Sequence, residues 1–429
     1  MSKKLTVLAA ILAVSFLGTA FAAVENVKVG GKIDMYALSR SDFDLGAGGA
    51  TDYDASALAS ILKLSISADL TEDVSANTVL FHERIWSGGT SASGTSTGSG
   101  NILLGGLWIT LKNFLDYPLT LKIGKQGVKI GSGLIIADPN TNYKGASNFA
   151  GTAFSDLCGA KTFEGIMATL DYSPLVVNLG LIKKSEGDEY KNDDRDIYIL
   201  DANYEVDETT SAELYYILDD RKKADIGNIG VRVVSSPVEN LTLTGEIAYQ
   251  YQRYANVGFS SAPRTDKHSS DLAILAGATY KLTDTWVPMS IGLDYIRISD
   301  KWDPMYEEIT PADIANALFK NSNYQAICVN LGADLTDDIS LSLRYANLRL
   351  VGKVSTLSND TDSVTDSWDG YTMDSEKDLG NEIDLHLTYN YTEDVQFSLM
   401  YGYFNPGDAF NSSNDDSASQ VIGKMKITF

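Results

Sequence analysis

Apolar and polar residues alternate with a period of two along most of the chain. Leu241, Leu243, Gly245, Ile247, Tyr249 and Tyr251 interleave with Thr242, Thr244, Glu246, Ala248, Gln250 and Gln252. Ile383, Leu385, Leu387, Tyr389 and Tyr391 interleave in the same way with Asp384, His386, Thr388 and Asn390. The pattern returns at Ile327, Val329, Leu331, Ala333 and Leu335, and again at Val395, Phe397, Leu399, Tyr401 and Tyr403. Successive side chains of a strand point to opposite faces, so each segment predicts a strand with one apolar, aromatic face and one polar face. The runs last about ten residues, against about five or six in ordinary sheets. Ten residues is the length a tilted strand needs to cross a hydrocarbon layer.

A short turn recurs between the strands. Leu70-Thr71-Glu72-Asp73-Val74, Leu282-Thr283-Asp284-Thr285, Leu335-Thr336-Asp337-Asp338-Ile339 and Tyr391-Thr392-Glu393-Asp394-Val395 are near-copies. Thr and Asp side chains hydrogen-bond to their own backbone, which suits a tight polar turn. Eight such turns alternate with nine longer connections rich in Gly, Ser and Asp, among them 87–100, 127–161, 300–323 and 353–380. With one strand opening near Val27 and one closing at Phe429, the pattern predicts an all-β, transmembrane antiparallel β-barrel of about 18 strands. Its short turns would be periplasmic and its long loops extracellular. A soluble solenoid or propeller would need repeats of near-constant length. Here the spacing varies, and one face of each strand is polar throughout.

The first residues read as an address. Lys3 and Lys4 precede the apolar stretch 5–17, and Ala20-Phe21-Ala22 supplies a small-x-small cleavage site. Residues 1–22 are therefore expected to be a cleaved signal peptide, and 23–429 the barrel. No later run approaches the ~18 apolar residues of a membrane helix. The 57 acidic residues exceed the 34 basic ones, a formal net charge of −23. Nucleic acid is excluded as a partner on that balance. Two cysteines exclude a disulfide scaffold.

The closing strand alternates Val421, Gly423, Met425, Ile427 and Phe429 with Ile422, Lys424, Lys426 and Thr428. Ending on an aromatic residue, it resembles the assembly signal of bacterial outer-membrane proteins. The outer-membrane assembly machinery, through Phe429, and outer-membrane lipid are the partners this implies. The whole pattern is similar to that of a Gram-negative porin. Ile123-Gly124-Lys125-Gln126, followed by Ile130-Gly131-Ser132-Gly133-Leu134-Ile135, resembles the alginate-export family of 18-stranded barrels. Lys125 stands where that family has Arg, and Ser132 where it has an acid. The resemblance implies an outer-membrane channel for hydrophilic solutes, with an anionic saccharide as cargo in an electropositive lumen. The alternative is a surface structural or adhesin barrel without transport.

No cofactor, metal site or catalytic constellation is expected. His82, His268 and His386 do not cluster by spacing, and the glycine pairs open no helix that could cradle phosphate. On the strand phases, the basic residues expected to line the pore are Lys28, Lys32, Lys63, Lys112, Lys122, Arg232, Lys281, Arg344, Lys424 and Lys426, with Lys125 at the constriction. The acidic ones are Asp34, Asp69, Asp201, Glu205, Glu213, Glu246, Asp294, Asp334 and Asp384. Barrel closure gathers most bases on one wall and most acids on the opposite wall. The long connection near 127–161 is expected to fold inward as the constriction, bringing Lys129, Lys144 and Lys161 to the eyelet. Thr310 and Pro311 are expected to start a packed loop helix over 310–319. Cys158 and Cys328 are either bridged across the pore or two separate thiols. Acidic clusters at 186–196 and 360–378 read as solvated outer loops, or else as carboxylates bridged by divalent cations to lipid headgroups.

Overall fold

In a computed structural model the chain forms one closed antiparallel barrel of 18 strands. The structure describes residues 25–46, 54–86, 102–139, 155–157, 159, 161–186, 194–221, 224–254, 268–319, 321–353 and 373–429. The expected signal peptide therefore lies outside the described residues. The first strands are β1 (Glu25–Ser41), β2 (Ala55–Asp69), β3 (Val74–Ile85), β4 (Ile102–Leu111), β5 (Leu119–Gln126) and β6 (Phe163–Tyr172). Then follow β7 (Leu175–Ser185), β8 (Arg195–Asp207), β9 (Thr210–Asp220), β10 (Ala224–Val238), β11 (Leu241–Tyr254) and β12 (His268–Leu282). The set ends with β13 (Met289–Ile298), β14 (Tyr324–Asp334), β15 (Ile339–Leu350), β16 (Asp378–Asn390), β17 (Val395–Pro406) and β18 (Ala418–Thr428).

Each strand pairs with the next, and β18 returns to β1 in the register Asp34↔Lys426 and Tyr36↔Lys424. The eight repeated turns fall on one rim, and the longer connections on the other. One of those nine is long only by position: β9 and β10 are joined through residues 221–223 alone.

The apolar phase faces outward. Leu243, Ile247, Tyr249 and Tyr251 are all more than a third exposed, while Glu246, Gln250 and Gln252 between them are buried. Outward tyrosines gather near both ends of the strands, Tyr198 and Tyr204 on β8 for instance. An amphipathic ring sits best at a membrane–water boundary, and such girdles flank the apolar band of outer-membrane barrels.

The seam closes on the last residue. Gly31 and Phe429 exchange both backbone hydrogen bonds, at 2.7 and 3.0 Å. The Phe429 ring occupies the space that a Cβ on Gly31 would need, its Cε2 only 2.8 Å from that position. Gly31→Ile should push the ring off the seam at a cost of about 1–3 kcal/mol. The expected outcome is a lower unfolding temperature on heat-modifiable gel electrophoresis; an unchanged midpoint would show that the seam does not depend on that slot.

Candidate functional site

The lumen is not an open tube. Two of the outer connections turn inward and pack on each other. In the first, residues 127–162, Val128, Ile130, Leu134, Ile135 and Ile136 are buried. The segment leaving β5 reaches the far wall, where Gly131 N donates to Glu213 Oε1 (2.7 Å) and Ser132 N to Glu246 Oε2 (3.0 Å). Gly131 has φ +63°, and a Cβ there would lie 2.5 Å from Glu246 Oε1, so both backbone and space demand glycine. The returning arm is held on the near wall. Asp156 takes two hydrogen bonds from the Arg40 guanidinium (2.6 and 3.0 Å), and Gly159 N donates to Glu83 Oε1 (2.8 Å).

Sequence reasoning missed the second inward connection, residues 299–323. Trp302, Met305 and Tyr306 are fully buried in it. Tyr306 N donates to Ile135 O (3.0 Å), Ala137 N to Tyr306 O (2.7 Å) and Glu308 N to Gly133 O (2.8 Å), so the two loops form a short parallel bridge. Glu308 also holds two lysines of the first loop, Lys161 at 2.6 Å and Lys129 at 3.5 Å. Burial draws the Lys161 pKa down, but the carboxylates of Glu308 and Asp138 outweigh it and leave the net shift upward.

The predicted loop helix exists as α1 (Asp313–Leu318) but starts later than expected. Ala312, not Thr310, is its N-cap, and no side chain of the loop caps it. The barrel wall caps it instead: Ile314 N and Ala315 N donate to the two oxygens of Glu382 at 2.5 and 2.8 Å. Asp313 N donates to Asp384 Oδ2 (3.2 Å), and Asp313 Oδ2 lies 2.6 Å from His386 Nε2. Glu382 was absent from the expected acidic residues. It is inward by phase, two positions from Asp384, and entirely buried.

Ladder register places Lys28, Lys32, Lys63, Lys122, Arg232, Lys281, Arg344, Lys424 and Lys426 on the inward phase, while Lys112 follows the end of β4 and belongs to no ladder pair. The nine acidic residues share that phase. Lys125 does not. It pairs with Leu107 and Glu164 and continues the outward series Leu121 and Ile123, whereas Gly124 and Gln126 on either side face in. Strand phase decided its direction, not the motif around it. Lys144 and Cys158 lie outside the described residues. Cys328 is a free, buried thiol whose Sγ is 3.3 Å from Pro311 O. His82 pairs with Leu62 on the outward face. In the first acidic cluster Lys183 lies within 2.8–3.3 Å of Glu186, Asp194 and Asp196 and offsets one of their three charges. Most of the second cluster lies outside the described residues.

The bases and the acids are used differently. Glu213, Glu246 and Asp384 accept loop N–H groups, and Arg232 lies 3.6 Å from Glu213 and 3.9 Å from Glu246. On the basic wall Asp34 holds Lys32 (2.6 Å) and Lys424 (3.4 Å). Lys63 and Lys122 have no carboxylate partner among the described residues. Their ammonium groups lie over the rings of Phe81 (5.9 Å) and Trp108 (4.5 Å), a contact that leaves the charge unneutralised. A cavity of about 620 Å³ lies between this wall and the first loop's returning arm, lined by Lys32, Lys63, Phe81 and Lys161 and also by the carboxylates of Asp34 and Asp156.

Residues 26–424 match the family model described as "Alginate export". Among solved structures the fold is similar to OccAB1 of Acinetobacter baumannii, with a TM-score of 0.60 at 11% identity over 96% of this chain and 98% of that one. OprD of Pseudomonas aeruginosa gives 0.59 at 10% identity, covering 96% and 97% of the two chains. OpdK of the same species, in a structure with vanillate, gives 0.57 at 13% identity, covering 95% and 100%. No curated protein matches by sequence.

The second loop carries a pH-sensitive group. Burial pushes the Glu307 carboxyl up to about 7, against a hydrogen bond from Ile309 N that favours its charged form. The folded protein then holds this proton more tightly than the unfolded chain. The stabilisation is complete below the ordinary carboxylate range and is lost as pH rises through about 7. Glu307→Gln should flatten the fall in thermal stability between pH 5 and pH 8 by on the order of 1–3 kcal/mol. Identical pH profiles for the two proteins would rule this out.

Proposed function

The chain belongs to the alginate-export family, and from that membership we propose that this outer-membrane barrel is an anion-preferring channel for small hydrophilic solutes, acidic saccharides among them. One observation carries the reading. Both inward loops send backbone N–H groups to the acidic wall, to Glu213 and Glu246 from the first and to Glu382 and Asp384 from the second, while the first loop's returning arm is held on the opposite wall by Arg40 and Glu83. The loops therefore engage those carboxylates, whereas Lys63 and Lys122 keep no carboxylate partner among the described residues.

A charge near a low-dielectric wall acts over a longer range than the same charge in bulk water. Lysines balanced by aromatic rings rather than carboxylates keep that field positive where a solute passes. A structure of OpdK contains vanillate, itself a carboxylate, which agrees with a passage of this kind. The 127–162 loop would act as the constriction, because the segment leaving β5 and the returning arm are tied to opposite walls.

In planar bilayers with a salt gradient, the reversal potential should report anion preference. Replacing Lys63 and Lys122 together by Gln should weaken that preference severalfold, and cation preference in the unmutated protein would refute the reading. Absence of any conductance step would favour a structural or adhesin barrel instead.

Deleting residues 135–155 removes the loop's bridge to Tyr306 and should raise single-channel conductance. An unchanged step would show that the constriction lies elsewhere.

A further inference from the structure

The membrane face of the barrel changes character at its outer rim. Moving toward that rim, Tyr295 on β13 gives way to Arg297, Ile327 on β14 to Gln325, and Asn347 on β15 to Arg349. We propose that Arg297, Gln325 and Arg349 form a docking site for the phosphate of an outer-leaflet lipid, whose acyl chains lie along the apolar columns of the same strands. The site lies on the outer wall and is independent of the ion preference of the passage.

Buried neighbours fix the direction of all three side chains. Ile296 and Ile298 flank Arg297, Tyr324 and Ala326 flank Gln325, and Leu348 and Leu350 flank Arg349; each of the six is buried. Neighbours buried on the lumen side leave the residue between them on the lipid side. The 299–323 connection from β13 to β14 packs into the lumen, and on the membrane face Leu293 and Ile327 stay 55% and 51% exposed. Arg349 is exposed and Arg297 half-buried.

Ladder register sets the three side by side, with Arg297 opposite Gln325 and Gln325 opposite Arg349. Neighbouring strands lie about 4.8 Å apart, so the two arginines stand roughly 10 Å apart with the amide between them. Neither guanidinium has a carboxylate partner among the described residues, and the Gln325 side chain has no hydrogen-bond partner there. Asp378, the register partner of Arg349 on β16, accepts from Gly380 N through Oδ1 at 3.1 Å. One step below this row the polar groups are already matched: Asn381 Oδ1 accepts from Tyr345 (2.6 Å) and Asn347 (2.9 Å). The unmatched donors are confined to the rim.

Two fixed cations and an amide at the edge of hydrocarbon favour a phosphate. A guanidinium offers two parallel N–H groups to phosphate oxygens, and the apolar layer below strengthens the contact. A choline headgroup brings its own cation to the same place and gains less. The rim is not basic throughout. On β8 and β9 the outward columns end on Asp196 and Asp220, opposite each other, where a phosphate would meet carboxylates. The plain alternative is an arginine that lifts its charge into water over an apolar stem. That role needs no second arginine or amide in register, and it prefers no headgroup.

The experiment uses the full-length barrel in non-ionic detergent, with bound lipid read by native mass spectrometry. Dioleoyl phosphatidic acid should be retained, one per barrel, at concentrations at least tenfold below dioleoyl phosphatidylcholine. Arg297→Gln with Arg349→Gln should remove most of that preference. Arg84→Gln, the same kind of charge loss at an outward position on β3, should leave it unchanged. Heat-modifiable gel electrophoresis checks closure of each variant. Should the glutamine pair fail to close, Arg297→Lys with Arg349→Lys carries the test; it keeps the charge but not the fork, and should bind severalfold more weakly. Equal retention of the two lipids would overturn the proposal, as would equal losses in Arg84→Gln and the double variant. Displacement of the lipid by an equal concentration of inorganic phosphate would assign the site to a free anion and overturn it. An oligomer that the double variant dissolves would assign the surface to a second copy of the chain and overturn it too.

Discussion

Hydrocarbon offers no partner to a peptide N–H or C=O, and every other feature of this chain depends on how that constraint is met. Only a closed ladder satisfies all strand edges within a bilayer. Here the ladder closes between β18 and β1, down to the exchange of hydrogen bonds between Gly31 and Phe429. Closure assigns each side chain to lipid or lumen with no intermediate choice. Tyr249 and Leu243 meet the membrane; Glu246 and Gln250 meet the lumen.

The same demand operates a second time inside the barrel. Two long connections bring their backbone into a confined space, and their N–H groups must find acceptors there. Wall carboxylates supply them. Glu213 and Glu246 receive the segment leaving β5, and Glu382 receives the first turn of α1. The acidic wall is thus a docking surface, while Lys63 and Lys122 on the other side have no carboxylate partner among the described residues. Counting inward charges gives near balance. Their surroundings break that balance, because a carboxylate covered by a loop and an ammonium over a ring present different faces to the passage.

The alternation of residues was enough to determine strand number and connectivity, though inward charges such as Arg40, Glu83 and Glu382 were not singled out. Period two is a local property, and a one-residue error would have reversed a whole strand. Lys125 shows the limit of motif reasoning: its neighbours suggested a pore contact, but its own phase, in line with Leu121 and Ile123, points it outward. The inward fold of 299–323 also left a trace. Ile197, Ile199, Ile217, Ile226, Ile296 and Ile298 occupy lumenal positions near the outer ends of their strands and are buried. Apolar residues on a wet face announce that something will cover them.

What covers them was decided only by the tertiary structure. The bridge between Ile136 and Tyr306, the grip of Lys129 and Lys161 on Glu308, and the capping of α1 by Glu382 join residues far apart in the chain. No periodicity encodes such pairs, because each depends on where the barrel's curvature brings two loops and a wall together. The alternating sequence determined a barrel and the sign of each position in it. Packing of the two loops between the walls decided which of those charges are engaged by backbone N–H groups.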